Sequence, residues 1–257
     1  LLHYRVAGEG RPLVIVHGLF GSGDNWATLA GKFPGWKVYL PDLRNHGNSP
    51  WHDSFNLADL AADLAAFSGA LGLGPCPYIG HSLGGKAVME LALTHPGLVT
   101  AAAVLDIAPK AGEARYPGFV NALRKLDLTN LTDRSEAQTR LEAAIPDRAT
   151  LQFLLKSLVP DAANPGHWRW RLNLAALENQ YTEIWKAVTP GRSWLGPTLF
   201  LHGGASDYVH LEDESLIRSL FPRAQIEAIP GAGHWLHAEK PAEVLRALNS
   251  WLQETME

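Results

Sequence analysis

A serine flanked by glycines carries the clearest chemistry in this chain. Gly80-His81-Ser82-Leu83-Gly84 reads G-x-S-x-G, directly after an apolar run from Pro77 to Ile79 and directly before a helical run from Gly85 to Thr94. Strand, turn and helix in that order form the context in which such a serine sits on a sharp bend with its hydroxyl held above a sheet. Glycine is needed at both ends because side chains at Gly80 and Gly84 would collide with neighbouring backbone. A hydroxyl is a poor nucleophile at neutral pH, so a base must take its proton. Gly231-Ala232-Gly233-His234-Trp235 follows the last apolar run and precedes a helix from Pro241, which brings His234 to the same edge late in the chain. His237 is its nearest rival among the eleven histidines. An ordinary imidazole titrates near ~6.5, so activity resting on a histidine base is expected to fall below about pH 6 to 7.

A serine that attacks an acyl carbon also needs backbone donors for the oxyanion, each typically worth ~3 kcal/mol. One is the amide of Leu83, immediately after the nucleophile. The other belongs in His17-Gly18-Leu19-Phe20-Gly21, after the first central strand, where the residue following His-Gly points to Leu19, with Phe20 as the alternative. His17 reads as a hydrogen-bonding brace of that loop. The carboxylate that orients His234 has two candidates. Asp106 ends the run Ala102 to Leu105, and Asp207 follows the run Thr198 to Leu201. Both fall at the edge where open α/β sheets carry their sites.

These residues need a sheet to position them. Apolar runs at Leu13 to Val16, Lys37 to Leu40, Pro77 to Ile79, Ala102 to Leu105, Thr198 to Leu201 and Gln225 to Ile229 alternate with helical patterns. Such alternation predicts an α/β fold with a mostly parallel, doubly wound sheet, and the near-continuous apolar runs predict strands covered on both faces. Asn56 to Leu71 reads as a crossover helix capped by Asn56, with Leu57, Leu60, Leu64 and Phe67 on one face. Roughly 90 residues separate Leu105 from Thr198 without a convincing strand, far beyond an ordinary connection of ~4 to 6 residues. Within them Leu123 to Leu128, Ser135 to Ala144, Leu151 to Leu158 and Leu172 to Trp185 read as short helices separated by Pro146, Pro160, Pro165 and Gly166. The expected organisation is therefore a core of residues 1–109 and 196–257 with a helical cap inserted at 110–195. Trp168, Trp170, Trp185 and Trp194 in the cap either line a pocket or pack it onto the core, and packing is the commoner role.

Bulk composition narrows the partners. At 257 residues the chain is long enough for one such domain with an insertion, and its 46% hydrophobic and 19% charged content is that of a globular protein. A net charge of −4 offers no basic field for nucleic acid. The single cysteine, Cys76, excludes an internal disulfide and a cysteine metal cluster. No apolar stretch approaches the ~18 to 20 residues of a membrane span. The chain opens Leu-Leu-His-Tyr without methionine. The cytoplasm is thus the expected compartment for a bacterial source, with an organelle open should a targeting segment precede residue 1. The oligomeric state is left open.

Four stretches together resemble a known branch of the α/β-hydrolase superfamily: His17-Gly18-Leu19-Phe20-Gly21-Ser22, Asp42-Leu43-Arg44-Asn45-His46-Gly47-Asn48-Ser49-Pro50, Gly80 to Ala87, and Gly231 to Pro241. The branch is that of the YbfF-type esterases and their abhydrolase-domain-11 relatives. In the wider superfamily the loop after the second central strand reads Asp-x-Arg-Gly-x-Gly-x-Ser; Asn45-His46 replaces Gly-x here. Many relatives place the acid in His-Gly-x-x-Asp-x-x-Val-Pro, and laying His202 to His210 on that form puts Ser206 at the acid position and Asp207 one place beyond it. The resemblance implies that the acid is Asp106, with Ser206 supporting the histidine's hydrogen bonding and Asp207 as the alternative. It further implies a carboxylesterase acting on short to medium acyl esters or acyl thioesters, with a small-molecule substrate and with no metal and no organic cofactor. Lys86 and Arg44 are expected to be structural.

Ser82 argues against dehalogenases and epoxide hydrolases, which carry aspartate at that position. A cofactor-free haloperoxidase or perhydrolase would keep the same three residues, as would a carbon–carbon bond hydrolase. From another class comes a ligand-binding or protein-stabilising homologue that retains the scaffold without turnover. A metal site built on His234-x-x-His237 lacks the rest of a ligand set.

Overall fold

The computed structural model describes residues 1–113 and 117–256; residues 114–116 of the expected cap and the last residue of the expected core lie outside them. The elements are β1 (Tyr4–Ala7), β2 (Arg11–Val16), α1 (Ala27–Ala30), β3 (Trp36–Pro41), α2 (Leu57–Leu71), β4 (Cys76–His81), α3 (Leu83–Thr94) and β5 (Val99–Leu105). The insertion contributes α4 (Pro117–Lys125), α5 (Arg134–Leu141), α6 (Arg148–Leu155), β6 (Leu158–Pro160), β7 (Trp168–Trp170) and α7 (Leu174–Asn179). The chain returns through β8 (Thr198–Gly203), α8 (Glu214–Leu220), β9 (Ala224–Ile229), α9 (Leu236–Glu239) and α10 (Pro241–Met256).

Seven strands form one sheet in the order β1-β3-β2-β4-β5-β8-β9. All neighbours are parallel except β1, which pairs antiparallel with β3 at the edge. Each predicted apolar run falls within one of the six parallel strands. Their near-continuous apolarity has the expected cause: alternate side chains enter different cores. In β2, Val14 and Val16 pack with Leu64, Phe67, Val88 and Leu91 on the α2–α3 face, whereas Leu13 and Ile15 pack with Trp26, Val244, Leu248 and Trp251 on the α1–α10 face.

From β2 the chain steps outward to β3 and then crosses to β4 on the other side of β2. Strand order reverses between β2 and β4, and the loops leaving their C-terminal ends diverge to open a crevice there. The loops after β5, β8 and β9 end at the same edge.

Within the insertion the helices depart from the sequence pattern: the one expected at Leu123 to Leu128 starts earlier and runs longer as α4, the one expected at Ser135 to Ala144 is shortened to α5, and the stretch expected to lack strands holds an antiparallel pair, Leu158–Pro160 with Trp168–Trp170. The predicted helix Leu151 to Leu158 is instead α6, starting at Arg148 and ending at Leu155, and of its expected last turn only Leu158 enters β6. Leu172 to Trp185 divides into α7 and a single turn at Glu183–Trp185. Helices α5, α6 and α7 each start on a side-chain cap: Asp133 accepts from Glu136 N–H, Asp147 from Thr150 and Asn173 from Ala176.

Asn56 accepts from Asp59 N–H at 2.9 Å and starts α2, the helix whose Leu60, Leu64 and Phe67 are buried against the sheet. Replacing Asn56 with alanine leaves that first-turn donor to water, and the expected loss is about 1 kcal/mol, or roughly 2–4 °C in melting temperature. An unchanged melt would mean that packing alone fixes the start of α2.

Candidate active site

Ser82 occupies the bend between β4 and α3 at φ 53°, ψ −119°, a conformation that L-residues rarely adopt. Surrounding geometry holds it there. A Cβ at Gly80 would lie 2.3 Å from Gly84 O, and one at Gly84 would lie 2.5 Å from both Val16 O and His17 O. These are backbone contacts that cannot yield, so α3 approaches the strands closely only because both positions are glycine. Ser82 N–H donates to Leu105 O at 2.9 Å. Leu83 is the first residue of α3, so its N–H has no acceptor in the helix.

The Ser82 hydroxyl donates to His234 Nε2 at 3.1 Å, and His234 Nδ1–H donates to Asp106 Oδ2 at 2.7 Å. Asp106, at the end of β5 with φ 52°, is completely buried. Its second oxygen accepts Gly203 N–H at 2.8 Å, and Oδ2 also accepts the Ser206 hydroxyl at 2.5 Å. The structure therefore brings together Ser82, His234, Asp106 and Ser206. Asp207 lies one residue beyond, lining a neighbouring cavity with Lys86, Lys110 and His210.

Several supporting groups carry no motif in the sequence. The Tyr208 ring stacks on His234 at 3.8 Å between centroids and 14° between planes. The Glu239 carboxylate accepts Gly233 N–H at 2.7 Å and Trp235 N–H at 3.2 Å, clamping the loop on both sides of His234. His81 Nε2–H donates to the His234 carbonyl at 2.8 Å. His81 lies within the G-x-S-x-G stretch and Glu239 within Gly231 to Pro241, but no motif assigns a task to Glu239, whose clamp is made within its own loop, or to Tyr208, whose stacking is made across the fold.

His237, the sequence rival to His234, stacks on Trp26 at 4.6 Å, and burial pushes it down to about 3. Its Nδ1 is buried without a protein partner. Among the described residues no group of three His, Cys, Asp or Glu side chains is arranged to hold a metal ion.

A cavity of about 340 Å³ opens beside Ser82 and His234. Leu19, Phe119, Phe153, Leu154 and Trp185 supply much of its apolar wall. Of the tryptophans singled out in the insertion, Trp185 lines this cavity, Trp168 and Trp170 line a separate one on the insertion, and Trp194 is buried against Gly196.

The returning end of the insertion is anchored at α3. Lys86, buried, donates from Nζ to the carbonyls of Lys186 at 2.7 Å and Trp185 at 3.3 Å. One turn on, Glu90 accepts Thr189 N–H at 2.8 Å and the Thr189 hydroxyl. Arg44 forms a paired contact with Asp63, Nε to Oδ2 at 2.6 Å and Nη2 to Oδ1 at 2.8 Å, and braces the loop after β3 against α2.

The profile of the alpha/beta hydrolase fold matches residues 11–241. The chain belongs to the α/β-hydrolase family. The hydrolase is 36% identical over 255 residues to the sn-1-specific diacylglycerol lipase ABHD11 of Danio rerio, a match spanning 96% of this chain and 80% of the relative. It is 37% identical over 252 residues to the esterase YbfF of Escherichia coli K12, covering 95% of this chain and 93% of that one. Among solved structures, a marine microorganism esterase superposes with a TM-score of 0.93 at 37% identity, over 98% of this chain and 99% of the other. The hydrolase is thus of the esterase and lipase type. None of its helices among the described residues is long and apolar enough to cross a membrane.

Burial alone pushes Lys86 of the hydrolase down from 10.5 to about 8. Below pH 8 the ammonium is charged in both the folded and the unfolded chain, and its desolvation opposes folding. Between about 8 and 10.5 the unfolded chain holds a proton that the folded chain has released, so this opposition is relieved as pH rises. Denaturant unfolding of wild type and Lys86→Met should therefore show their stability difference moving in favour of wild type by on the order of 1–2 kcal/mol from pH 7 to 9.5. A difference independent of pH would show that solvent reaches the ammonium.

Proposed function

We propose that this hydrolase is a serine carboxylesterase cleaving short to medium acyl esters, with acyl thioesters as a related substrate class. The observation that carries the reading is the continuous relay from Ser82 Oγ through His234 to the buried Asp106 carboxylate, opening on an apolar cavity of about 340 Å³. That size falls in the range of small-ligand sites. The segment 110–195 is read as the cap over the core of 1–109 and 196–257, contributing Phe119, Phe153, Leu154 and Trp185 to the acyl site.

In the proposed reaction Ser82 Oγ attacks the acyl carbon while His234 Nε2 accepts its proton. The amides of Leu83 and Leu19 take the oxyanion. Leu19 is preferred to Phe20 because the Phe20 N–H is already engaged by His46 Nε2 at 3.1 Å. His234 then gives the proton to the leaving alcohol, and a water activated by the same imidazole hydrolyses the acyl-enzyme. Asp106 holds the tautomer with Nε2 free to accept, and Ser206 and Gly203 hold Asp106.

Turnover of p-nitrophenyl esters of increasing acyl length tests the reaction. A clear length optimum is expected, and Ser82→Ala should reduce the rate by about 10⁶-fold. If the wild type shows no turnover and a fluorophosphonate does not label it, the scaffold serves a binding role instead. A second comparison tests the acid. Asp106→Asn is expected to lower kcat by about 10⁴-fold by favouring the wrong tautomer, whereas Asp207→Asn should stay within a few-fold of wild type. The reverse order would transfer the role to Asp207.

A further inference from the structure

Asn45 and His46, which replace the superfamily's Gly-x after the second central strand, have no task in the reaction above. Yet their loop contacts both the proposed oxyanion site and the insertion. His46 is fully enclosed. Its Nδ1–H donates to Arg44 O at 2.9 Å, which leaves Nε2 as an acceptor, and Phe20 N–H donates to it at 3.1 Å. Phe20 has φ 64°, a conformation costly for a residue with a Cβ, so this bond offsets strain next to Leu19. His17 returns the arrangement: its Nδ1–H donates to Gly18 O at 2.8 Å, and its Nε2 accepts Leu43 N–H at 2.9 Å. Each loop lends the other one imidazole acceptor. Burial pushes His46 down to about 3 and lowers His17 as well, which keeps both rings neutral and accepting at ordinary pH.

On its other side the same pair grips the insertion. Asn173 N–H donates to Asn45 O at 2.9 Å. Asn173 Nδ2 donates to Asn45 Oδ1 at 3.1 Å and to His52 O at 3.3 Å. His46 also forms an isolated antiparallel bridge with Leu172. Asn45 has φ 66°, a left-handed conformation that asparagine tolerates better than most residues.

We propose that Asn45 and His46 are positioning residues that transmit the seating of the 110–195 insertion, held at Asn173, to the oxyanion-binding loop, held at Phe20. The proposal rests on the esterase reading and adds a condition to it: the Leu19 donor is in register only while the insertion is down. Oxyanion donors must point at a defined place, and a misplacement of ~1 Å can cost ~10²-fold in rate. A linkage that runs through the Asn45 side chain and the buried His46 imidazole can carry that constraint, whereas glycine in place of Asn45 would remove the side-chain link to Asn173.

Asn173→Asp provides the selective test. It keeps the oxygen that caps α7 and the backbone N–H that donates to Asn45 O, but its side chain can no longer donate to Asn45 Oδ1 and His52 O. Amide hydrogen exchange across residues 17–22 reads the oxyanion loop without any turnover. Exchange at Phe20 is expected to rise roughly tenfold or more in Asn173→Asp and in His46→Leu, as for a site opened locally. It should return toward wild type in His46→Gln, whose side-chain oxygen can accept near the Nε2 position. On p-nitrophenyl butyrate both disruptive variants should lose roughly tenfold in kcat with KM within about twofold, and the double variant should lose no more than His46→Leu alone. Unchanged exchange in Asn173→Asp, or additive losses in the double variant, would overturn the linkage. Should His46→Leu fail to fold, exchange in Asn173→Asp decides the matter. Absence of Ser82-dependent turnover in the wild type would fell the esterase reading, while exchange would still decide the linkage.

Discussion

A carboxylate with no exposure to solvent must have its oxygens satisfied by donors, because an unpaired buried charge costs several kcal/mol. Asp106 meets that demand with Gly203 N–H, the Ser206 hydroxyl and His234 Nδ1–H. These donors come from the end of β8, the loop after it and the loop after β9. One charge at the end of β5 thereby draws two further crossings of the chain to the same edge of the sheet. The register of β5 with β8, which sets Leu105 beside Leu201, brings the carboxylate level with Gly203. His234 takes its orientation from that carboxylate, and Ser82 finds its acceptor as a consequence.

Close approach at the nucleophile supplies the complementary constraint. The Gly80 and Gly84 contacts let α3 start directly over the crevice between β2 and β4, and the rest of α3 then serves the insertion. Lys86 and Glu90, one turn apart, hold the carbonyls of Trp185 and Lys186 and the amide and hydroxyl of Thr189. Trp185 belongs both to that anchor and to the wall of the cavity beside Ser82 and His234. The helix that follows Ser82 thus also fixes one side of the cavity beside it. Burying an ammonium against carbonyls alone is a costly way to do so.

The parallel strands were legible in the sequence because burial on both faces leaves continuous apolar runs, and the elbow was legible because its glycines have a steric cause. β1 was not. Tyr4–Ala7 lies at the edge with Arg5 and Val6 exposed, so no apolar run marks it. Nor was the β6–β7 pair, whose three-residue strands are set by pairing across the insertion rather than by local pattern. The acid was the ambiguous member for a structural reason. Ser206 stands at the position where the wider superfamily carries its carboxylate, and here it donates to a carboxylate arriving from β5. A sequence motif records the position of a residue along one loop, whereas the requirement at His234 Nδ1 is a point in space that two strand ends can reach.

The same distinction bears on the proposed choice of one histidine among many as base. His46 and His237 are each pushed down to about 3, and His81 falls well below the usual range, chiefly because burial disfavours the charged ring and neighbouring imidazoles add to the effect. Such neutral rings hold a loop or a carbonyl in place. His234 differs in its surroundings. About 21% of its side chain is exposed, it faces the Asp106 carboxylate, and Tyr208 covers one face of the ring. Proximity to Ser82 is therefore only half of what selects the base. His81 adjoins Ser82 in the chain and packs 4.9 Å from the His234 ring, yet its burial assigns it to bracing the loop that carries the base.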